Sequence, residues 1–436
     1  MDRQADLSPT YPPTGHGFQV MVKPTGAICN LDCSYCYYLS KSELYPGTRT
    51  RMGDDVLDEY LRQMLDAHRG GDVTIVWQGG EPTLMGLPFF RKVVARADAL
   101  AAPRQVVRHA LQTNATLLDE AWASFLAEHR FLVGVSVDGP PHLHDLLRVD
   151  RRGYATSSRV LRGIALLRGR GVDYNVLCTV NAVNARHPVE VYRYLRDECG
   201  GSFLQFIPVV EHTPAAGDRQ AVSTRSVTAT QWGDFLVGVF DDWIRADVGR
   251  VFVQTFDAAL ASWLGVTPGL CVFAETCGRA VVMEHNGDVY SCDHFVDPAH
   301  LLGNIKGMHL LEMVNSDRQR AFGRDKRDTL PNYCLECDVL FACWGECPKN
   351  RFIDTPDGEY GLNYLCDGYK RFFDHIDGLM KIMAELVGGG RPASDVGAVI
   401  AAAPRNGPCP CGSERKAKFC HQGAASRTHS GVPAAS

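Results

Sequence analysis

Residues 18–36 read FQVMVKPTGAICNLDCSYC. The first seven form a short β-rich run, and the loop after it carries Cys29, Cys33 and Cys36 in a C-x3-C-x2-C spacing. Working outward, the same unit recurs. VTIVW (73–77), VVRHALQTN (106–114), FLVGVSVD (131–138), DYNVLCTVN (173–181) and FLQFIPVVE (203–211) read as strands, and amphipathic stretches separate them. In the first of these, DDVLDEYLRQMLDAHR, Val56, Leu57, Tyr60, Leu61, Met64 and Leu65 fall on one face at three- and four-residue spacing, which predicts a helix. Six strands alternating with five helices predict an α/β fold with a parallel sheet, open or closed into a barrel. In such folds the functional loops lie at the carboxyl ends of the strands. The polar signatures fall there: CNLDCSYC, QGGEPT, QTNAT and SVDGP follow the first four strands in turn.

The chain has 436 residues, 45% hydrophobic and 22% charged, with a net charge of −5. These values suit a globular protein and argue against a nucleic-acid-binding tail or a disordered chain. The amino terminus has no basic stretch followed by an apolar core, and no run of about 18 apolar residues occurs. The expectation is a cytoplasmic protein outside the membrane.

Sixteen cysteines are the outlying number. In a long chain without a secretory signal they point to metal sites or catalysis more than to disulfides. Fourteen of them bunch into three groups, unlike scattered buried thiols; Cys178, in the apolar run NVLCTV, and Cys199, at a helix end, are the two left over. The first group offers three thiolates on one loop, enough for three corners of a cubane iron–sulfur cluster, with one iron left open for a reacting molecule. Zinc is the alternative, but it would want a fourth Cys or His nearby, and the loop has none.

The second group comprises Cys271, Cys277, Cys292, Cys334, Cys337, Cys343, Cys347 and Cys366. Eight thiolates make two full sets of four. Zinc ribbons are the alternative; the x2 pair fits them, but x5 followed by x3 is not a usual ribbon spacing. The third group, Cys409, Cys411, Cys420 and His421, supplies three thiolates and one imidazole, a closed set for structural zinc.

The first loop, with Tyr35 before its last cysteine, followed by QGGEPTL, SVDGP and HDLLR in order, resembles the radical S-adenosylmethionine enzymes. The second group is similar to the SPASM domain of that family's peptide- and protein-modifying members. Over residues 18–385, stretches such as QTNATLLDEAWASFL, EHNGDVYSCDHFV and CWGECPKNRF resemble the anaerobic sulfatase-maturating enzymes. The third group resembles the SEC-C zinc motif.

The resemblance implies a partial (β/α)6 barrel, a cysteine-rich domain with two auxiliary clusters, and a small zinc module. It implies three 4Fe-4S clusters and S-adenosylmethionine. One cluster would be held by Cys29, Cys33 and Cys36, one by Cys271, Cys277, Cys292 and Cys347, and one by Cys334, Cys337, Cys343 and Cys366. Cofactor contacts carry over to Tyr35, Gly80, Ser136, Arg148 and Val210, and substrate contacts to Tyr38, Gln78 and Gln205. Asp293, directly after Cys292, matches the family's general base; as a lone residue it would be read as a helix cap or a group behind the ligands.

The implied reaction begins with one electron passing to S-adenosylmethionine. A 5′-deoxyadenosyl radical then takes a hydrogen from the β-carbon of a Cys or Ser in a sulfatase Cys/Ser-x-Pro-x-Arg motif. Asp293 takes a proton and the auxiliary clusters take an electron; a serine then stands as Cα-formylglycine, and a cysteine as the thioaldehyde, whose hydrolysis leaves Cα-formylglycine. A flavodoxin or ferredoxin would be the electron donor. A maturase of a ribosomally made peptide is the alternative within the same chemistry; a multi-cluster electron carrier is the alternative outside it, and it leaves QGGEP unexplained.

The expected organisation is a radical core at 18–211 and a linker with a helical segment at 212–270. The cysteine-rich domain and its closing helix follow at 271–386, a flexible linker at 387–404, the zinc module at 405–422 and a disordered tail at 423–436. One local departure stands out: QTNAT has Ala115 where the family has a turn glycine.

Overall fold

The computed structural model describes residues 17–46, 50–69, 71–214 and 217–422; the expectation of a disordered tail lies outside them. Six strands run parallel in sequence order: β1 (Gln19–Lys23), β2 (Val73–Trp77), β3 (Val107–Thr113), β4 (Leu132–Ser136), β5 (Tyr174–Val180) and β6 (Phe203–Pro208). Helices Asp54–Ala67 (α1), Leu87–Leu100 (α2), Glu120–Glu128 (α3), Ser157–Gly169 and Pro188–Arg193 connect them. This is the expected partial barrel. The apolar stripe of α1 is buried along its length, and Trp77 meets the edges of Tyr60, Phe89 and Phe90, so strand β2 is wedged between α1 and α2.

The sheet is larger than the strand–helix repeat predicts. A two-residue strand, β7 (Phe252–Val253), adds in parallel beyond β6. On the other side β8 (Ala280–Glu284) pairs in parallel with all five residues of β1, from Gln19 against Ala280 to Lys23 against Glu284. Strands β9 (Asp288–Tyr290) and β10 (Leu301–Asn304) continue the edge antiparallel. The first hairpin of the cysteine-rich stretch is thus part of the same ten-stranded sheet, and the carboxyl end of β8 stands beside that of β1, where the loop of the first three cysteines begins.

The expected closing helix spans Cys366–Gly388 and packs along the Ala229–Ala246 helix. Phe372, Phe373, Ile376, Leu379, Met380 and Met383 are all buried in the shared core, as their helical spacing predicts. The stretch expected as a flexible linker is ordered instead. Val396–Ala402 is helical, and Val396 and Ile400, four residues apart, insert into the core. No helix among the described residues is long and apolar enough to cross a membrane.

Candidate functional site

The loop of Cys29, Cys33 and Cys36 leaves the carboxyl end of β1 and is held by backbone on two sides. On one side Asp32 N–H donates to Val149 O at 2.9 Å and Ser34 N–H to Leu147 O at 3.1 Å, while Arg151 Nε–H caps the Cys29 carbonyl at 2.8 Å. On the other, Gly80 N–H donates to Gly26 O and Glu81 N–H to Ile28 O, each at 2.9 Å. Gly80 is obligatory here: a Cβ would lie 2.1 Å from the Ile28 carbonyl oxygen. Buried Glu81 ties this loop to the end of β3, its carboxylate accepting from Thr83 N–H, Thr83 Oγ1, Thr113 Oγ1 and Asn114 N–H at 2.6–3.0 Å. Ala115 stands where the family has the turn glycine and adopts a left-handed conformation, φ +57°, that glycine favours.

At the end of β4 a second cluster gathers. Asp138 is fully buried; it accepts from the Tyr35 hydroxyl, pairs with Arg148 Nε at 2.9 Å, and accepts from Thr179 N–H at 2.9 Å. The Arg148 guanidinium stands 5.5 Å from the Tyr35 ring centre. Ser136 Oγ accepts from Gln112 Nε2 at 3.1 Å. Val210 is buried just past β6, and Gln205 is half-buried on β6 opposite Leu177.

Between these strand ends and β8 lies a third group, whose centre is Asp293. Its carboxylate is 2.6 Å from the Lys23 ammonium and accepts from the Tyr37 hydroxyl. Lys23 is 2% exposed, donates to Gln78 Oε1 at 3.1 Å and sits 4.6 Å from the Tyr38 ring centre. The Tyr38 hydroxyl in turn donates to buried Glu284. Burial opposes ionisation of Asp293, but the Lys23 ammonium, with the hydrogen bonds from Lys23 and Tyr37, outweighs it and holds the carboxyl below its usual range. Asp293 is therefore a carboxylate at neutral pH and can accept a proton.

Neighbouring cysteine thiols act on one another electrostatically. In the first loop burial pushes the Cys29 thiol up to about 12, with Glu81 adding to it, and the Cys33 thiol up to about 11. Burial raises Cys277 to about 11 and Cys292 to about 12; Cys271 acts on both, and Cys347 feels Cys292 and Cys271. Cys343 is raised to about 12 by burial, with Cys334 contributing, and Cys366 is raised by burial together with Cys343, Cys334 and Cys337. Those last four thiols line a single cavity with Asn363, Tyr369 and Lys370. Thiols so buried stay protonated until a metal takes up their charge, and all-thiolate sets of this kind suit iron–sulfur clusters. In the third group the ligand atoms are gathered: those of Cys409, Cys411, Cys420 and His421 lie within 4.8 Å of one another.

Several residues of the site escape a reading of the sequence. Asp138 sits inside SVDGP, where a buried acid before Gly-Pro was its only signal. Lys23 is a lone lysine ending a strand, and Tyr37 and Glu284 become visible only once β8 pairs with β1. Lys326, 1% exposed, points its ammonium at the carbonyls of Trp344 and Ala274, close to Cys277 and Cys343.

A parallel sheet with a three-thiol loop at its first strand end, followed by eight further cysteines between residues 271 and 366, defines a radical S-adenosylmethionine enzyme carrying a SPASM domain. The family patterns agree: the Radical SAM superfamily matches residues 24–195, and the SPASM iron–sulfur cluster-binding domain matches 271–338. The serine-type anaerobic sulfatase-maturating enzyme of Bacteroides thetaiotaomicron is 43% identical over 88% of this chain and 96% of its own. The cysteine-type enzyme of Clostridium perfringens is 34% identical over 82% and 95%. The solved structure of native anSMEcpe with bound AdoMet and Cp18Cys peptide superposes with a TM-score of 0.76 at 33% identity, over 85% of this chain and 99% of that one. The chain belongs to the anaerobic sulfatase-maturating enzymes.

Proposed function

We propose that this protein oxidises a cysteine or serine of a sulfatase polypeptide to Cα-formylglycine. The observation that carries the reading is the position of Asp293. Its carboxylate is hydrogen-bonded by Tyr37, the residue after Cys36, and it directly follows Cys292. The proton acceptor thus stands between the loop of the first cluster and a ligand of the second.

Cys29, Cys33 and Cys36 would hold the first 4Fe-4S cluster and leave one iron for S-adenosylmethionine. Tyr35, Gly80, Ser136, Arg148 and Val210, grouped at the ends of β1, β2, β4 and β6, would contact that cofactor. When bound, the cluster and S-adenosylmethionine supply a radical that removes hydrogen from the β-carbon of the target residue. Asp293 accepts the thiol or hydroxyl proton, and Lys23 keeps it ionised beforehand. Tyr38, Gln78 and Gln205 line the substrate side. Two auxiliary 4Fe-4S clusters would be held by Cys271, Cys277, Cys292 and Cys347, and by Cys334, Cys337, Cys343 and Cys366. One zinc ion belongs with Cys409, Cys411, Cys420 and His421. The substrate is a Cys/Ser-x-Pro-x-Arg segment, and a flavodoxin or ferredoxin supplies the electron. We place these steps in the cytoplasm. The serine-type name of the Bacteroides relative makes serine the first target to test.

The test is anaerobic mass spectrometry of Ser- and Cys-containing sulfatase peptides incubated with the reconstituted protein, reductant and S-adenosylmethionine. Aldehyde formation with matching 5′-deoxyadenosine is expected. Asp293→Asn should form 5′-deoxyadenosine but lower the aldehyde yield by about 10²-fold or more, the usual reach of general base catalysis. Release of 5′-deoxyadenosine with no change in either peptide would overturn the substrate assignment.

A further inference from the structure

The C-terminal cysteine group belongs to no part of the radical chemistry, yet it is built against the catalytic body. Cys409 Sγ and Cys420 Sγ each lie 3.3 Å from His421 Nδ1, and Cys411 Sγ lies 3.6 Å from Cys420 Sγ. Metal–ligand bonds of about 2.3 Å to sulfur and about 2.0 Å to nitrogen give tetrahedral edges of about 3.5 to 3.8 Å. The set therefore has the span of one tetrahedral ion; a cubane would hold its thiolates at four outer corners, farther apart.

The outer face of the histidine is also engaged. With Nδ1 turned to the thiols, Nε2 faces Asp241 Oδ1 at 3.5 Å, and the same oxygen lies 2.8 Å from His375 Nε2. Asp241 comes from the Ala229–Ala246 helix and His375 from the Cys366–Gly388 helix. The backbone is seated as closely as the side chains: the Cys411 carbonyl lies over Gly378 of the long helix, where a Cβ would meet it at 2.3 Å. Cys409 and Cys411 are 3% and 8% exposed and join the main hydrophobic core.

We propose that these residues form a zinc clasp whose outer carboxylate, Asp241, is lent by the catalytic body. The proposal rests on the zinc reading above and adds to it. Asp241 accepts the Nε2 proton of His421, which fixes the tautomer that presents Nδ1 to the metal; it is a positioning residue. Binding the ion then fastens residues 405–422 onto the two helices. The module's metal-facing side is spent on this chain itself and not on a separate partner.

The experiment uses the full-length, cluster-loaded protein. Zinc is counted by mass spectrometry of metals and its affinity measured by chelator competition, with the iron–sulfur absorbance followed as a control. One zinc per chain is expected. Asp241→Asn should weaken zinc binding by about tenfold or more, the usual size of such outer-shell effects, with cluster absorbance unchanged. His375→Gln, which leaves the Asp241–His421 contact in place, should stay within about twofold. Asp241→Glu, which restores a carboxylate, should recover part of the loss. Asp241→Asn within about twofold of the parent overturns the role of Asp241 and leaves the zinc reading standing. A parent protein that retains no zinc overturns both. Should Asp241→Asn fail to fold, hydrogen exchange on the parent decides the clasp: removing zinc should deprotect both 405–422 and the helical turns around Asp241 and Gly378. Unchanged protection of those turns overturns it.

Discussion

The Lys23 ammonium lies 2.6 Å from the Asp293 carboxylate, joining the last residue of β1 to a residue 270 positions later in the cysteine-rich stretch. Lys23 is buried and Asp293 mostly so, at 2% and 13% exposure. Removing one partner of such a pair leaves the other charge unpaired, at a cost of about 3–5 kcal/mol. Lys23→Met should therefore lower formylglycine formation by about 10²-fold while 5′-deoxyadenosine production persists, because the Lys23 side chain pairs with Asp293, the proton acceptor proposed above, and not with Cys29, Cys33 or Cys36. Quantitative mass spectrometry of both products checks this. A peptide turnover within about threefold of the parent would remove Lys23 from the mechanism.

Gly80→Ala tests the other end of the site. The added methyl would sit 2.1 Å from the carbonyl of Ile28, next to Cys29. Backbone cannot yield as a flexible side chain can, so the loop of Cys29, Cys33 and Cys36 must shift, at about 1–3 kcal/mol for overpacking. The variant should bind S-adenosylmethionine about tenfold or more weakly and take up about one cluster's worth less iron. Iron analysis with equilibrium binding would show it, and a full iron complement with parental affinity would contradict it.

The strand–helix repeat and the cysteine spacings were legible because each is a local pattern: a period of 2 or 3.6, or ligands a few residues apart. Gly80 and Tyr35 were reachable through their neighbours for the same reason. The Asp293 environment was not, since Lys23 and Tyr37 meet it only through the parallel pairing of β8 with β1, and nothing in AVVME specifies which edge it joins. The stretch 387–404 misled by composition: its Gly, Arg and Pro residues hide Val396 and Ile400, which share a face. Gly378 gave no signal at all, since a glycine inside a long helix explains itself only when Cys411 is seen lying on it.

Asp257 gives a pH prediction. It stands in the first turn of the Gln254–Trp263 helix, and burial pushes its carboxyl up to about 6. Its unfolded value is near 3.9, so the native state binds the proton more tightly and stability falls as pH rises from about 4 through 6. Asp257→Asn removes that penalty. After allowance for partial solvent screening, the gain should be about 1–2 kcal/mol at pH 7.5 and about half as much at pH 5. Anaerobic urea unfolding at the two pH values measures it; equal gains at both would show that Asp257 does not titrate as described.

Gly378→Ala probes the seat of the C-terminal module. In an ordinary helix interior this change would stabilise by about 1 kcal/mol. Here the new Cβ would lie 2.3 Å from the Cys411 carbonyl oxygen, so any net loss must come from the docked module and not from the helix. The module should lift and its backbone loosen, so that trypsin cuts after Arg405, Lys416 and Lys418 at least about tenfold faster than in the parent, while peptide oxidation continues because no residue of the radical site is touched. Unchanged cleavage, or a higher melting temperature, would mean that residues 405–422 do not rest on this helix in solution.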